Sequence, residues 1–332
     1  MNKKFLALIL CVSLSMGSSA WAAVTIDSTT FPDSNFRNFI ATTKFDKDGD
    51  RHLSDEEIAS ITELDLTLAS TAMETLKGIE YLTALTELDC YGKNITTLDV
   101  SQNTSLDSLL CHDNSLTSLI LGNNTTLTKL DCYNNKLQTL DVSGCTSLTQ
   151  LYCNNNKLQE LNIENNTKLK YLWAENNRLA TLDVTSNPEI SMPRYSPQTV
   201  STDALSEDEY GYTFDFSSLL LSSLQVSLIS DVKAFDESGN EIEVSISDKE
   251  VEPSALYFDE KPSSFTYKYN IGYKDDELMD VTVKFLASGE SDEETTTNLT
   301  PSSGGGGGGG CNSGFSVFGL LLVSMVTFRK RK

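Results

Sequence analysis

From residue 85 to residue 190 the chain repeats itself every 21 residues without slippage. A period of that length calls for a stack of similar coils, each too small to bury its own apolar face. Leu85, Leu106, Leu127, Leu148, Leu169 and Ile190 form one column, and Leu88, Leu109, Leu130, Leu151 and Leu172 another. A third reads Cys90, Cys111, Cys132, Cys153 and Ala174. The fourth is Asn114, Asn135, Asn156 and Asn177, with Lys93 standing in at the first coil. Three further apolar columns start at Ile95, Leu98 and Val100, and the eighth runs Asn103, Asn124, Cys145, Asn166 and Asn187. Within each coil, apolar residues two apart describe a short strand with one face inward.

One coil contains the order Leu106-x-x-Leu109-x-Cys111-x-x-Asn114-x-Leu116, and Leu116-x-x-Leu119-x-Leu121-x-x-Asn124 begins a second copy inside it. This resembles the leucine-rich repeat, in the nested 21-residue class of bacterial surface proteins, with general similarity to internalins. The resemblance implies two parallel ladders of short strands around a narrow core. The asparagines suit the corners, where a buried amide can answer both N–H and C=O groups. The cysteines are expected to be small buried thiols, because side chains in register run parallel and suit the ~90° disulfide torsion poorly. An irregular start, with 24 residues from Ile61 to Leu85, is expected to be an atypical first coil beside an N-terminal cap.

In that cap, residues 46–57 follow the twelve-residue EF-hand loop. Asp46, Asp48 and Asp50 fill positions 1, 3 and 5, His52 offers its backbone carbonyl at 7, Ser54 sits at 9 and Glu57 at 12. Three carboxylates two apart repel one another without a cation, so the pattern points to Ca²⁺. Arg51 replaces the glycine of position 6, and a positive φ there costs ~1–2 kcal/mol. The expectation is a weak, structural calcium site flanked by helices.

Beyond three prolines, Pro188, Pro193 and Pro197, the texture changes to strict alternation. Tyr212/Phe214/Phe216, Val226/Leu228, Val232/Ala234, Ile242/Val244/Ile246, Phe265/Tyr267/Tyr269 and Val281/Val283/Phe285 read as strands, with a hairpin turn at 237–240. They suggest a small Ig-like sandwich. The expected fold class is therefore mixed, mainly β: a helical EF-hand-like cap (23–60), a leucine-rich-repeat solenoid (61–195) and a β-sandwich domain (200–288).

The two ends carry addressing features. Residues 1–22 combine a basic start, a short apolar run and Ala20-Trp21-Ala22, the layout of a secretory signal. After an acidic, Ser/Thr-rich linker (289–310) ending in seven glycines, a tail (311–332) runs from Cys311 through an apolar stretch to Arg329, Lys330, Arg331 and Lys332. That order resembles glycine-glycine-type bacterial sorting tails, which implies cleavage near Cys311 and attachment to the cell envelope. A plain membrane anchor is the alternative.

The chain carries 47 Asp+Glu against 25 Lys+Arg, for a net charge of −22. A field of that sign repels phosphate backbones, so no nucleic-acid partner is expected. With two histidines and no His/Cys cluster, a zinc site is not expected either. No nucleophile elbow, phosphate loop or metalloprotease helix is present, so neither an enzyme activity nor a small-molecule substrate is expected. The outward residues flanking the cysteine column, by contrast, include Tyr91, His112, Tyr133, Tyr152 and Trp173. Rings on a stiff array bury much area at little entropic cost. They suggest an adhesin-like display surface for an extracellular protein or glycan; the alternatives are a coat protein without a specific ligand, and rings that merely cover the sheet.

Overall fold

The computed structural model describes residues 23–191, 193–208, 211–215, 229–246, 255–271 and 278–286. The expected signal (1–22), the strand at Val226/Leu228, the linker from 289 and the tail with Cys311 lie outside them. Internal contacts divide the chain into two compact units, one taking in Met1–Glu175 and Val184–Arg194, the other Asn176–Asp183 and Tyr195–Lys332.

The first unit is a β-solenoid. Six three-residue strands, Glu63–Asp65, Glu87–Asp89, Ser108–Leu110, Lys129–Asp131, Gln150–Tyr152 and Tyr171–Trp173, pair in parallel in chain order. Leu64 faces Leu88 across the 24-residue first coil, and Leu88, Leu109, Leu130, Leu151 and Leu172 then follow at 21. The aliphatic and thiol columns fill the core, none of their members more than 7% exposed. The five described cysteines are buried thiols.

The corner beside this ladder is closed by amides. Asn135 Nδ2 donates to the carbonyls of Cys111, Cys132 and Tyr133, and its Oδ1 accepts from Leu116 N–H. Asn114 and Asn156 repeat the pattern one coil away on either side. Just before each member of this column, from Lys93 through Asn114, Asn135 and Asn156 to Asn177, the backbone turns left-handed, at Gly92, Asp113, Asn134, Asn155 and Asn176. Asn, Asp and Gly tolerate that conformation best, so this is a ninth column with a conformational cause.

Two expectations need correction. The second ladder does not run the length of the stack: among the described residues it is Thr97–Asp99 paired with Ser118–Ile120, with an isolated parallel bridge from Thr97 to Thr75. The periodicity reports which side chains are buried, and Leu140 and Leu161 are, but it does not report whether the backbones carrying them come close enough to pair. The second corner also differs from the first. Asn103, Asn124, Asn166 and Asn187 donate to carbonyls of the preceding coil, yet their buried Oδ1 atoms find no partner among the described residues.

The N-terminal end is a small apolar knot of Phe31, Phe36, Ile40, Phe45 and Leu53. Helix α1, Ser34–Ile40, is capped by Asp33, whose Oδ1 accepts from Asn35 and Phe36 N–H. Helix α2, Asp55–Ser60, opens on Ser54 in a capping box with Glu57. The first helix carries Phe36, Phe39 and Ile40 and ends there, and turns lead into the acidic loop. Asp33 also accepts from Glu74 N–H at 2.8 Å, tying this end to the first coil. Gly78, at φ +107°, lies against Phe31, whose ring a Cβ there would strike at 2.3 Å.

The second unit holds two sheets. Gln198–Thr202, Leu278–Phe285, Ser264–Asn270, Ile229–Phe235 and Glu241–Ile242 form one in that spatial order, the first pair parallel and the rest antiparallel. Leu205–Asp208, Gly211–Asp215, Ala255–Phe258 and Val244–Ile246 form the other, all antiparallel. Rings from the two sheets meet, with Phe214 5.0 Å from Phe265. The alternating run at 242–246 is not one strand: Glu241–Ile242 and Val244–Ile246 sit in different sheets. The expected hairpin turn is present, with Asp236 Oδ1 accepting from Ser238 and Asn240 N–H at 2.8 Å.

Candidate binding face and acidic loop

Each strand of the long ladder buries its middle leucine and turns its first and third residues outward. Stacking at 21 residues draws an outward column from the first residues, Glu87, Ser108, Lys129, Gln150 and Tyr171, and two more at and just beyond the third. One reads Asp89, Leu110, Asp131, Tyr152, Trp173 and Arg194, the last joined to Trp173 by an isolated parallel bridge. The other reads Tyr91, His112, Tyr133, Asn154 and Glu175.

The five ring residues nominated from sequence fall into two groups on these columns. Tyr91, His112 and Tyr133 form a continuous stack, with ring centroids 4.7 and 4.5 Å apart and planes within 10°. His112 Nδ1 also lies 2.9 Å from Asp113 Oδ2. Tyr152 and Trp173 meet edge to face at 4.9 Å, and the Arg194 guanidinium sits 4.3 Å over the Trp173 ring. Such contacts hold the rings in place.

Sequence reasoning places Asp131, Asn154 and Glu175 outward beside the rings without giving them a role, and it does not reach Arg194. Counting 21 onward from Trp173 reaches Arg194, and the outward acids follow from the same count. Burial pushes the carboxyls of Asp89, Asp131 and Glu175 above the ordinary range. His112 and Lys129 draw Asp131 back down in part, and Arg194 does so for Glu175.

The acidic loop brings the ligand atoms of Asp46, Asp48 and Asp50 within 4.8 Å of one another. Asp46 is 1% exposed and accepts Gly49 N–H at 2.8 Å and Arg51 N–H at 3.1 Å. His52 N–H donates to Asp50 Oδ1 at 2.7 Å. Arg51 holds φ +68°, the conformation expected of position 6. Of the other candidates, Glu57 stands apart from this cluster: Oε1 accepts Lys47 N–H at 2.6 Å, and Oε2 accepts from Ser54 N–H and Oγ at 2.9 Å. Those bonds, led by the Ser54 N–H, hold the Glu57 carboxyl below its ordinary value. His52–Leu53 pairs antiparallel with Val24–Thr25, a partner strand invisible in the loop pattern itself. Three carboxylates so close, with the donor oxygens hard cations prefer, fit Ca²⁺ in charge and chemistry.

Residues 125–165 match the family model described as Leucine Rich repeats (2 copies). Internalin J of Listeria monocytogenes serotype 4b (strain F2365) is 47% identical over 74 residues, 22% of this chain and 8% of that relative. This chain thus matches only a small part of that relative's length. Among solved structures, the functional domain of InlJ from Listeria monocytogenes, described as including a cysteine ladder, is 19% identical with a TM-score of 0.27. That likeness covers 80% of this chain and 99% of that one. A leucine-rich-repeat protein of Leptospira interrogans is 24% identical with a TM-score of 0.35, covering 44% of this chain and 46% of that one. No helix among the described residues is long and apolar enough to cross a membrane.

Proposed function

We propose that this chain is a non-enzymatic bacterial surface protein that binds an extracellular protein or glycan through the outer face of its long ladder. The observation that carries this reading is the two registered runs of rings, Tyr91, His112 and Tyr133 stacked just past the strand ends and Tyr152 against Trp173 on paired strands. A face so ordered loses little entropy on binding, and aromatic anchors of this kind dominate interface energetics. Similarity to Internalin J over the matched segment supports the same reading. Export on residues 1–22 and attachment through the tail at Cys311 complete it, resting on the sequence. Residues 23–60 then serve as a cap and 61–195 as the display array. We read 200–288 as an Ig-like spacer, supported by two sheets whose rings meet at Phe214 and Phe265.

The acidic loop serves structure in this proposal. Asp46, Asp48 and Asp50 would hold Ca²⁺ with the His52 carbonyl and Ser54, and Glu57 would join them by exchanging its bonds to Lys47 and Ser54 for the ion. The ion supplies the charge that lets three carboxylates share one loop. Isothermal titration tests it: a calcium heat above the chelator background is expected, and its absence removes the site.

A protein and glycan array probed with the full chain tests the binding face. Capture that falls at least about tenfold in Trp173→Ala and Tyr133→Ala chains is expected, in keeping with aromatic hot spots. Self-assembly with no ligand on the array favours a coat protein instead.

A further inference from the structure

The second side of the solenoid carries a cavity of about 410 Å³ where the first coil meets the next one, a size within the ~300–1,000 Å³ range of ligand sites. Its cause is the length of that coil, 24 residues from Ile61 to Leu85 where the others take 21. Thr75 reaches Thr97 by an isolated bridge. Gly78, at φ +107°, then turns the chain away into the short 3₁₀ segment Ile79–Tyr81. From Leu98 to Gln102 no backbone hydrogen bond joins the two coils among the described residues, although Thr97–Asp99 pairs in full with Ser118–Ile120 on its other side. The strand is left with an open edge, and the cavity lies along it.

Two kinds of surface line this space. Leu76, Ile79 and Leu98 are buried and give it an aliphatic floor. Asp99 and Gln102 are exposed and Glu80 is half-buried, so these polar groups stand within reach of a ligand. Both carboxylates are oriented by the backbone: Glu80 Oε2 accepts Gly78 N–H at 2.7 Å, and Asp99 Oδ1 accepts Ser101 N–H at 2.9 Å. The second oxygen of each has no hydrogen-bond partner among the described residues. Lys77 also lines the cavity and pairs with neither acid.

We propose that this cavity binds the terminal residue of a neutral glycan. The site is separate from the ring columns and does not depend on the binding-face reading. A pyranose has a CH face and a hydroxyl edge, and the lining answers each. The aliphatic floor takes the first, while two fixed carboxylate oxygens accept hydroxyls through charge-assisted bonds. Gln102 can both donate and accept. Other chemistries match less of the lining. Two acids against one lysine oppose an anion, a lipid chain would desolvate the carboxylates without pairing them, and no aromatic ring is present among the lining residues for a base to stack on. A compact cation would satisfy the acids and leave the floor unused.

Saturation-transfer NMR tests this with the full chain and the methyl glycosides of glucose, galactose, mannose and N-acetylglucosamine, with butylammonium as the cation control. Irradiating the aliphatic methyls is expected to transfer magnetisation to the ring CH protons of at least one glycoside. Its dissociation constant should rise at least about tenfold in Asp99→Asn, a change that can keep the Ser101 bond and so spares the fold. Exposed Gln102→Ala should weaken it severalfold. Asp141→Asn alters the equivalent cap on Ser143 two coils on, away from the cavity, and Trp173→Ala alters only the ring columns; neither should change binding. No transfer to any glycoside, undiminished binding in Asp99→Asn, an equal loss in Asp141→Asn, or binding of butylammonium but of no glycoside overturns the proposal. Binding that Trp173→Ala abolishes while Asp99→Asn and Gln102→Ala spare it overturns the proposal too, and puts the sugar on the ring face.

Discussion

Asn135 reaches across its corner to Leu116, accepting that residue's N–H at 2.9 Å, while its amide nitrogen donates to the Cys111 carbonyl at 3.0 Å. One side chain therefore serves backbone groups of two coils that water cannot reach. Asn135→Leu should cost about 3 kcal/mol or more, since each buried group left unmatched costs ~1–3 kcal/mol. Exposed Gln138→Leu should cost less than ~0.5 kcal/mol. Urea unfolding of the two variants checks the difference, and equal midpoints would contradict the amide corner.

The thiol column makes stability sensitive to alkali. Burial pushes Cys145 to about 11 and Cys153 to about 12 and raises Cys111 and Cys132 well above the ordinary value. An unfolded thiol ionises near ~8.5. Folded values above unfolded ones mean that this contribution is complete below ~8.5 and is lost as pH rises through the folded values. Stability measured at pH 7.5 and pH 10 should fall, and Cys132→Ala should flatten the fall while lowering stability at both. Thiol reagents should label the native chain far more slowly than the urea-unfolded one.

Arg51 holds a left-handed conformation that glycine adopts freely. Arg51→Gly should stabilise the calcium-loaded cap by ~1 kcal/mol and tighten calcium binding severalfold. Thermal unfolding with calcium and isothermal titration read the two effects separately.

Asp48→Asn should have opposite effects with and without the ion. Without calcium it relieves repulsion among three neighbouring carboxylates and raises the midpoint slightly, by less than ~1 kcal/mol for an exposed group. With calcium it should remove the stabilisation the ion gives the native chain. A variant stabilised equally by calcium would place the ion elsewhere.

Most of the solenoid was legible because burial in stacked coils is written directly into the period. Leu88, Leu109 and Leu130 pair where the count of 21 puts them. The left-handed column at Asp113, Asn134 and Asn155 was equally readable, since its residue types announce the conformation. The fate of the second side was not, because pairing depends on the spacing of backbones and not on which leucines are covered. Trp173 and Tyr133 stood out as rings, whereas Arg194 joins them only through the bridge that sets it beside Trp173, past the last leucine of the count. Glu57 fitted the loop pattern at position 12 but also fitted a capping box with Ser54, and the latter is what its bonds make. At 242–246 alternation predicted a strand, but a chain that changes sheets keeps its alternation.

Amide hydrogen exchange across the coils tests the 21-residue stack most directly. The N–H groups of Cys90, Cys111, Cys132 and Cys153 each donate at 2.8 Å to a carbonyl of the next coil, whereas those of Val142 and Ile163 on the second side have no such bond among the described residues. Slow exchange recurring at the four cysteines, with faster exchange at Val142 and Ile163, is the predicted result. Protection without that recurrence, or equal on both sides of the coil, would contradict the fold and the face built on it.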